Sequence, residues 1–131
     1  SIGEIIKNKL KYNKIDYIYH FAAVLGVDVV ADNPLETMEV ESIGMKNIVQ
    51  IANEKGSKKI IYASTSGVYG KTAIERSVQE DFIVDPRSSY SIAKRYNEIY
   101  LASAFQETKI QSIVQEMDSK SSRGVITPYW P

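Results

Sequence analysis

The heptapeptide SSYSIAK, residues 88–94, sets Tyr90 and Lys94 four positions apart, one turn if the segment is helical. A tyrosine hydroxyl, with an ordinary pKa of about 10, is a poor base at neutral pH unless a nearby cation favours its phenolate. Lys94 is placed to supply that cation. Such a pair takes a proton from a substrate hydroxyl while a bound oxidant removes hydride from the same carbon. The spacing is a short pattern: with nine tyrosines in the chain, roughly one match is expected by chance. The bland alternative is a half-exposed helix face with a lysine stem laid along it.

Two further stretches carry groups that chemistry could use. YASTSGVYG (62–70) ends in Ser64, Thr65 and Ser66 and then turns through Gly67 and Gly70. If 58–65 is a parallel strand, those hydroxyls stand at its carboxyl end, where open α/β sheets bind ligands; the competing reading is turn chemistry, in which they bond local backbone. HFAAVLG (20–26) places Ala22 and Ala23 after an apolar run. Residues that small let a flat ring or a ribose lie against backbone, or let a helix pack closely on a strand.

The elements that must position these groups alternate between helical and strand periods, the signature of a parallel sheet with crossover helices. Ile2, Ile5, Ile6 and Leu10 predict a helix over 2–13, and DYIYHFAA (16–23) a buried strand. Residues 24–32 read as a loop. NPLE (33–36) is a helix start, with Asn33 able to cap, Pro34 suited to the first position and Glu36 able to close a capping box. Leu35, Met38, Ile43, Ile48, Ile51 and Ala52 continue an apolar stripe to Gly56, a good terminator. KKIIYAST (58–65) is the next strand, 88–107 a second long helix and KIQSIV (109–114) a third strand. QEMDSKSSRGVITPYWP (115–131) shows no clear period.

Composition narrows the setting. A chain of 131 residues with 44% hydrophobic content fits one domain with a real core. Sixteen basic and sixteen acidic residues cancel, so there is no electrostatic footprint for nucleic acid or an anionic membrane. The absence of cysteine excludes disulfides and thiolate metal sites and suits a reducing cytosol. The single histidine, His20, with scattered carboxylates offers no metal-ligand cluster. No apolar run is long enough for a membrane helix, and the opening residues are a charged amphipathic segment rather than a signal sequence.

In this order, DYIYHFAA, NPLETMEVESIGMKNIVQIA, KKIIYASTSGVYG and SSYSIAK followed by YNE resemble the extended short-chain dehydrogenase/reductases that act on nucleotide sugars. The resemblance covers residues 1 to about 114, so it implies a Rossmann-type, doubly wound parallel sheet over 1–114, with 115–131 beginning the substrate region. It implies Tyr90 as catalytic base or acid, Lys94 as the residue that lowers its pKa and bonds the nicotinamide ribose, and Thr65 as the partner hydroxyl. Phe21, Ala22, Ala23 and Ala63, with Tyr90 and Lys94, fall where the family lines its dinucleotide; Leu25 lies in the loop approaching cofactor and sugar. Gly26, Thr65 and Ser66 fall near the sugar, and His20 is expected to pack rather than transfer protons. The implied cofactor is NAD, with NADP left open, and the implied substrate a nucleotide sugar.

Dehydratases of this family typically carry Asp-Glu directly after the catalytic Thr; here those positions are Ser66 and Gly67. The resemblance therefore favours epimerisation through transient oxidation at sugar C4, while dehydration, reduction, decarboxylation and a non-catalytic member of the same fold stay open. The Gly-rich G-x-x-G-x-x-G fingerprint is missing and Glu41 stands where the family's long helix usually has Asn. The chain is thus expected to be part of a longer protein, lacking the N-terminal Gly-rich βαβ unit and most of the C-terminal substrate lobe. Ile92, Tyr96, Ile99 and Tyr100 make one broad side of the 88–107 helix too apolar for water. The family pairs this helix and the 33–55 helix into a four-helix bundle, which implies a homodimer.

Overall fold

The computed structural model describes residues 4, 8–9, 13–23, 26–70 and 83–116. Three strands, β1 (Tyr17–His20), β2 (Lys59–Ser64) and β3 (Gln111–Glu116), lie side by side in chain order and are all parallel. Ile18 pairs with Ile60 and His20 with Tyr62, while Tyr62 pairs on its other side with Val114. Between the strands run α1 (Val27–Asp32), α2 (Pro34–Lys55) and α3 (Ser89–Thr108). Both crossovers step the same way along the sheet, so the right-handed rule places α2 and α3 on one face. The core agrees: Met45, Val49 and Ala52 of α2 and Leu101 of α3 meet Ile60, Tyr62 and Val114 in one buried cluster. Tyr17 and Tyr19 point to the opposite face and are exposed.

Local chemistry explains where the elements stop. Pro34 opens α2, where its missing N–H is one of the unpaired donors anyway. Gly56, at φ 63°, closes it by donating its N–H to the Ala52 carbonyl. Asn33 does not cap α2 as expected. Its side chain donates back to the Val29 carbonyl because 27–32, read from sequence as part of a loop, is helical and ends there. The sequence signal for α1 is weak: its six residues, VDVVAD, include three valines, whose branched side chains resist helix.

At the head of α3 the two serines of SSYS form a reciprocal capping box. Ser88 Oγ accepts from Ser91 N at 3.1 Å and Ser91 Oγ accepts from Ser88 N at 3.0 Å. The helix thus begins at a fixed point one residue before Tyr90. Of the helix expected over 2–13, the described residues Glu4, Asn8 and Lys9 are helical; the others, apart from Asn13, lie outside the described residues. So do residues 117–131 of the tail.

Candidate active site

Lys94 enters a space bounded by α2, α3 and β2, and its side chain is 2% exposed. The ammonium donates to the Ala63 carbonyl at 3.1 Å and lies 3.3 Å from Glu41 Oε2. Two aromatic rings flank it, Tyr62 with its centroid at 4.8 Å and Tyr90 at 5.3 Å. The helical spacing therefore brings the Tyr90 ring beside the cation, and the end of β2 supplies the carbonyl that holds it.

The Tyr90 hydroxyl is pushed above the ordinary tyrosine value, first by burial and second by the negative charge of Glu41. Lys94 is itself pushed down by burial, an effect Glu41 opposes. The cation expected beside the Tyr90 ring is present, and a carboxylate stands 3.3 Å from it.

Thr65 follows β2 in extended conformation and its Oγ1 accepts from Gly67 N at 3.2 Å, capping a single 3₁₀ turn over Ser66–Tyr69. Turn chemistry is thus real here, yet accepting a bond leaves the hydroxyl proton free to donate. A Cβ on Gly67 would stand 3.5 Å from Thr65 Oγ1 and 3.3 Å from Ser91 Cβ, so the turn lies against the residue that follows Tyr90. Ser66 is half-buried in that turn. Ser64 is committed elsewhere, donating to the Glu98 carboxylate, which separates it from Thr65. Gly70 has φ 58°, and a Cβ there would collide with the Asp85 carbonyl oxygen. Asp85 N donates to Val68 O at 2.8 Å, tying the approach to α3 onto the turn.

The remaining predicted positions are less closely joined. β1 ends at His20, so Phe21, Ala22 and Ala23 follow the strand rather than finish it. Phe21 packs edge-on against Tyr19, at 5.9 Å between centroids; Ala22 is exposed and Ala23 half-buried. Gly26, exposed and at φ 109°, begins α1. Leu25 lies outside the described residues. His20 stacks on Tyr62 at 5.5 Å, and burial, then the Lys94 charge, lowers its pKa.

Sequence reasoning missed several polar residues of the interior. Asn97 Nδ2 donates to the Tyr62 hydroxyl at 3.1 Å and to the Glu41 carbonyl at 3.2 Å, and Arg95 donates to Glu98 at 2.7 Å. Burial raises the Tyr62 hydroxyl. The signal was spacing: Thr37, Glu41, Met45 and Val49 repeat every four residues on the buried side of α2, and Ser91, Lys94, Asn97, Glu98 and Leu101 line that of α3. A search for apolar residues alone passes over both.

Of the three N–H groups of Lys94, one meets Ala63 O and one faces Glu41. Among the described residues no group of three His, Cys, Asp or Glu side chains could hold a metal ion, and no helix is long and apolar enough to cross a membrane.

Residues 3–122 match the family model described as GDP-mannose 4,6 dehydratase. The chain is 36% identical over 122 residues to the UDP-N-acetyl-alpha-D-glucosaminuronate decarboxylase of Bacillus cytotoxicus, covering 89% of this chain and 37% of that protein. It is 29% identical to the dTDP-D-glucose 4,6-dehydratase of Mus musculus, covering 86% of this chain and 31% of the relative. Among solved structures, the UDP-glucose 4-epimerase of Thermotoga maritima with UDP-glucose superposes with a TM-score of 0.74 at 27% identity, covering 86% of this chain and 37% of that one. The chain spans about a third of the length of the relatives it matches.

Proposed function

Because the chain belongs to the GDP-mannose 4,6 dehydratase family of extended short-chain dehydrogenase/reductases, we propose that it carries the proton-transfer half of an NAD-dependent nucleotide-sugar epimerase. The observation that supports this reading is the Tyr90 ring beside a buried Lys94 ammonium, itself bonded to the carbonyl two residues before Thr65.

In this reading Tyr90 takes the proton of the sugar 4-hydroxyl and later returns it. Thr65 donates a hydrogen bond that orients the same oxygen, and Lys94 fixes the ribose of the dinucleotide while supporting the phenolate. Phe21, Ala22, Ala23 and Ala63 line the cofactor, and Gly26 and Ser66 face the sugar. When bound, NAD supplies the acceptor for the C4 hydride and the donor for its return. Elimination of water needs an acid and a base beside the sugar, and Ser66 and Gly67 offer neither. A second reading, decarboxylation of a nucleotide-sugar acid by the same three residues, is favoured by the 36% identity to a decarboxylase. The exposed apolar sides of α2 and α3 suit a second copy of the chain, so the working form is a homodimer.

The test is turnover by the intact protein, with UDP-hexoses and a UDP-hexuronic acid offered separately and Tyr90→Phe as control. Epimerisation of the hexoses, reduced in the variant by about 10²–10⁴-fold as for loss of a positioned acid or base, supports the first reading. Release of CO2 from the acid favours the second, and unchanged activity in Tyr90→Phe overturns both.

A further inference from the structure

Glu41 is the side chain that neither the sugar chemistry nor the cofactor requires. It sits near the middle of α2 with 1% of its side chain exposed, and Oε2 is 3.3 Å from the Lys94 ammonium. A carboxylate is too costly to bury unless it is paired, and the pair spans two helices rather than one. Its surroundings are equally fixed. The backbone carbonyl of Glu41 accepts from Asn97 Nδ2, and that same amide donates to the Tyr62 hydroxyl. Lys94 is therefore held by a carboxylate on α2, a carbonyl on β2 and two flanking rings.

We propose that Glu41 is a positioning residue for the Tyr90/Lys94 pair: it anchors the Lys94 ammonium from α2 and offsets its charge, so that α2 sets how strongly Lys94 acts on the Tyr90 hydroxyl. This rests on the reading of Tyr90 and Lys94 as the proton-transfer unit. The titratable groups around the ammonium are Glu41 on α2, His20 on β1, Tyr62 on β2 and Tyr90 on α3, with Glu98 of α3 acting on the neighbouring Tyr62. Arg95 is the partner of Glu98, which leaves Glu41 as the carboxylate against Lys94. Its negative charge and the burial of Tyr90 act in the same direction on the hydroxyl.

The experiment titrates the intact protein with ¹³Cζ-labelled tyrosine, the Tyr90 signal being assigned with Tyr90→Phe. In Glu41→Gln the Tyr90 titration moves to lower pH by about one unit, the order of the effect of a nearby charge. The acid limb of the pH–rate profile moves with it, and Glu41→Asp restores both toward the wild type. A folded Glu41→Gln protein whose Tyr90 titration stays in place overturns the proposal, as does an Asp variant indistinguishable from Gln. A purely structural role would lower activity without moving either titration. A wild-type measurement covers the case in which Glu41→Gln does not fold: the Glu41 carboxyl ¹³C signal is expected to shift as Lys94 deprotonates, and a silent carboxyl signal overturns the proposal. Turnover and titration are separate readouts. A protein that transforms no nucleotide sugar removes the proposed function while the tyrosine titration still decides Glu41.

Discussion

His20 and Lys94 share one buried space beside Tyr62, and each is harder to protonate there than in water. For His20 the consequence is a pH-dependent stability. Its folded pKa lies below the ordinary value, so between that value of about 6.5 and the folded one the unfolded chain binds the extra proton. Stability is therefore complete above this window and is lost as pH falls through it. Urea unfolding of the intact protein at pH 7 and pH 5 is expected to show that loss, and His20→Phe, which keeps a stacking ring without a titrating nitrogen, to reduce it. An equal loss in the variant would assign the effect to other groups. The spacing of Tyr90 and Lys94 was legible in the sequence. The Glu41 contact was not, because a carboxylate 53 residues from its lysine becomes a neighbour only when two crossover helices pack on one sheet face.

At the scale of elements, the long helices were readable to within a residue or two, because their stop signals are local. Pro34, Gly56 and the Ser88/Ser91 box act within one turn of themselves. The short α1 was not, since its start rests on Gly26 at positive φ and its end on Asn33, a residue that reads equally well as the cap of the next helix. Their buried sides were only partly readable, because Glu41, Lys94, Asn97 and Glu98 occupy positions that a hydrophobic pattern reserves for apolar residues. The 3₁₀ turn after β2 is the element most sensitive to a single atom. Gly70→Ala puts a Cβ into the Asp85 carbonyl and forces a non-glycine residue to positive φ. The conformational term alone costs about 1–2 kcal/mol, and the backbone contact adds to it. A fall in Tm with a loss of turnover larger than the fall in folded fraction is expected. A variant of unchanged Tm would mean that the turn has another way to meet Asp85.

For the whole molecule, the question is what covers the apolar sides turned away from the sheet. Leu35 is 76% and Ile43 58% exposed on α2, and Ile92, Tyr96 and Ile99 are 41%, 51% and 45% exposed on α3. These are the side chains that the homodimer proposed above would cover. In that assembly, Ile99→Lys leaves a charge in the covered stripe. Light scattering of the intact protein is expected to give a dimer for the wild type and a shift toward monomer for the variant; a monomeric wild type would remove the proposal. The close approach of Gly67 to Ser91 bears on substitution as much as on catalysis. A side chain at position 67 would bring its Cβ to 3.3 Å from the Ser91 Cβ. Ser91 cannot be exchanged freely, since its hydroxyl and N–H anchor the helix that presents Tyr90. Whether a side chain at position 67 is tolerated therefore depends on how far Ser91 can give way, so substitutions at these two positions are coupled.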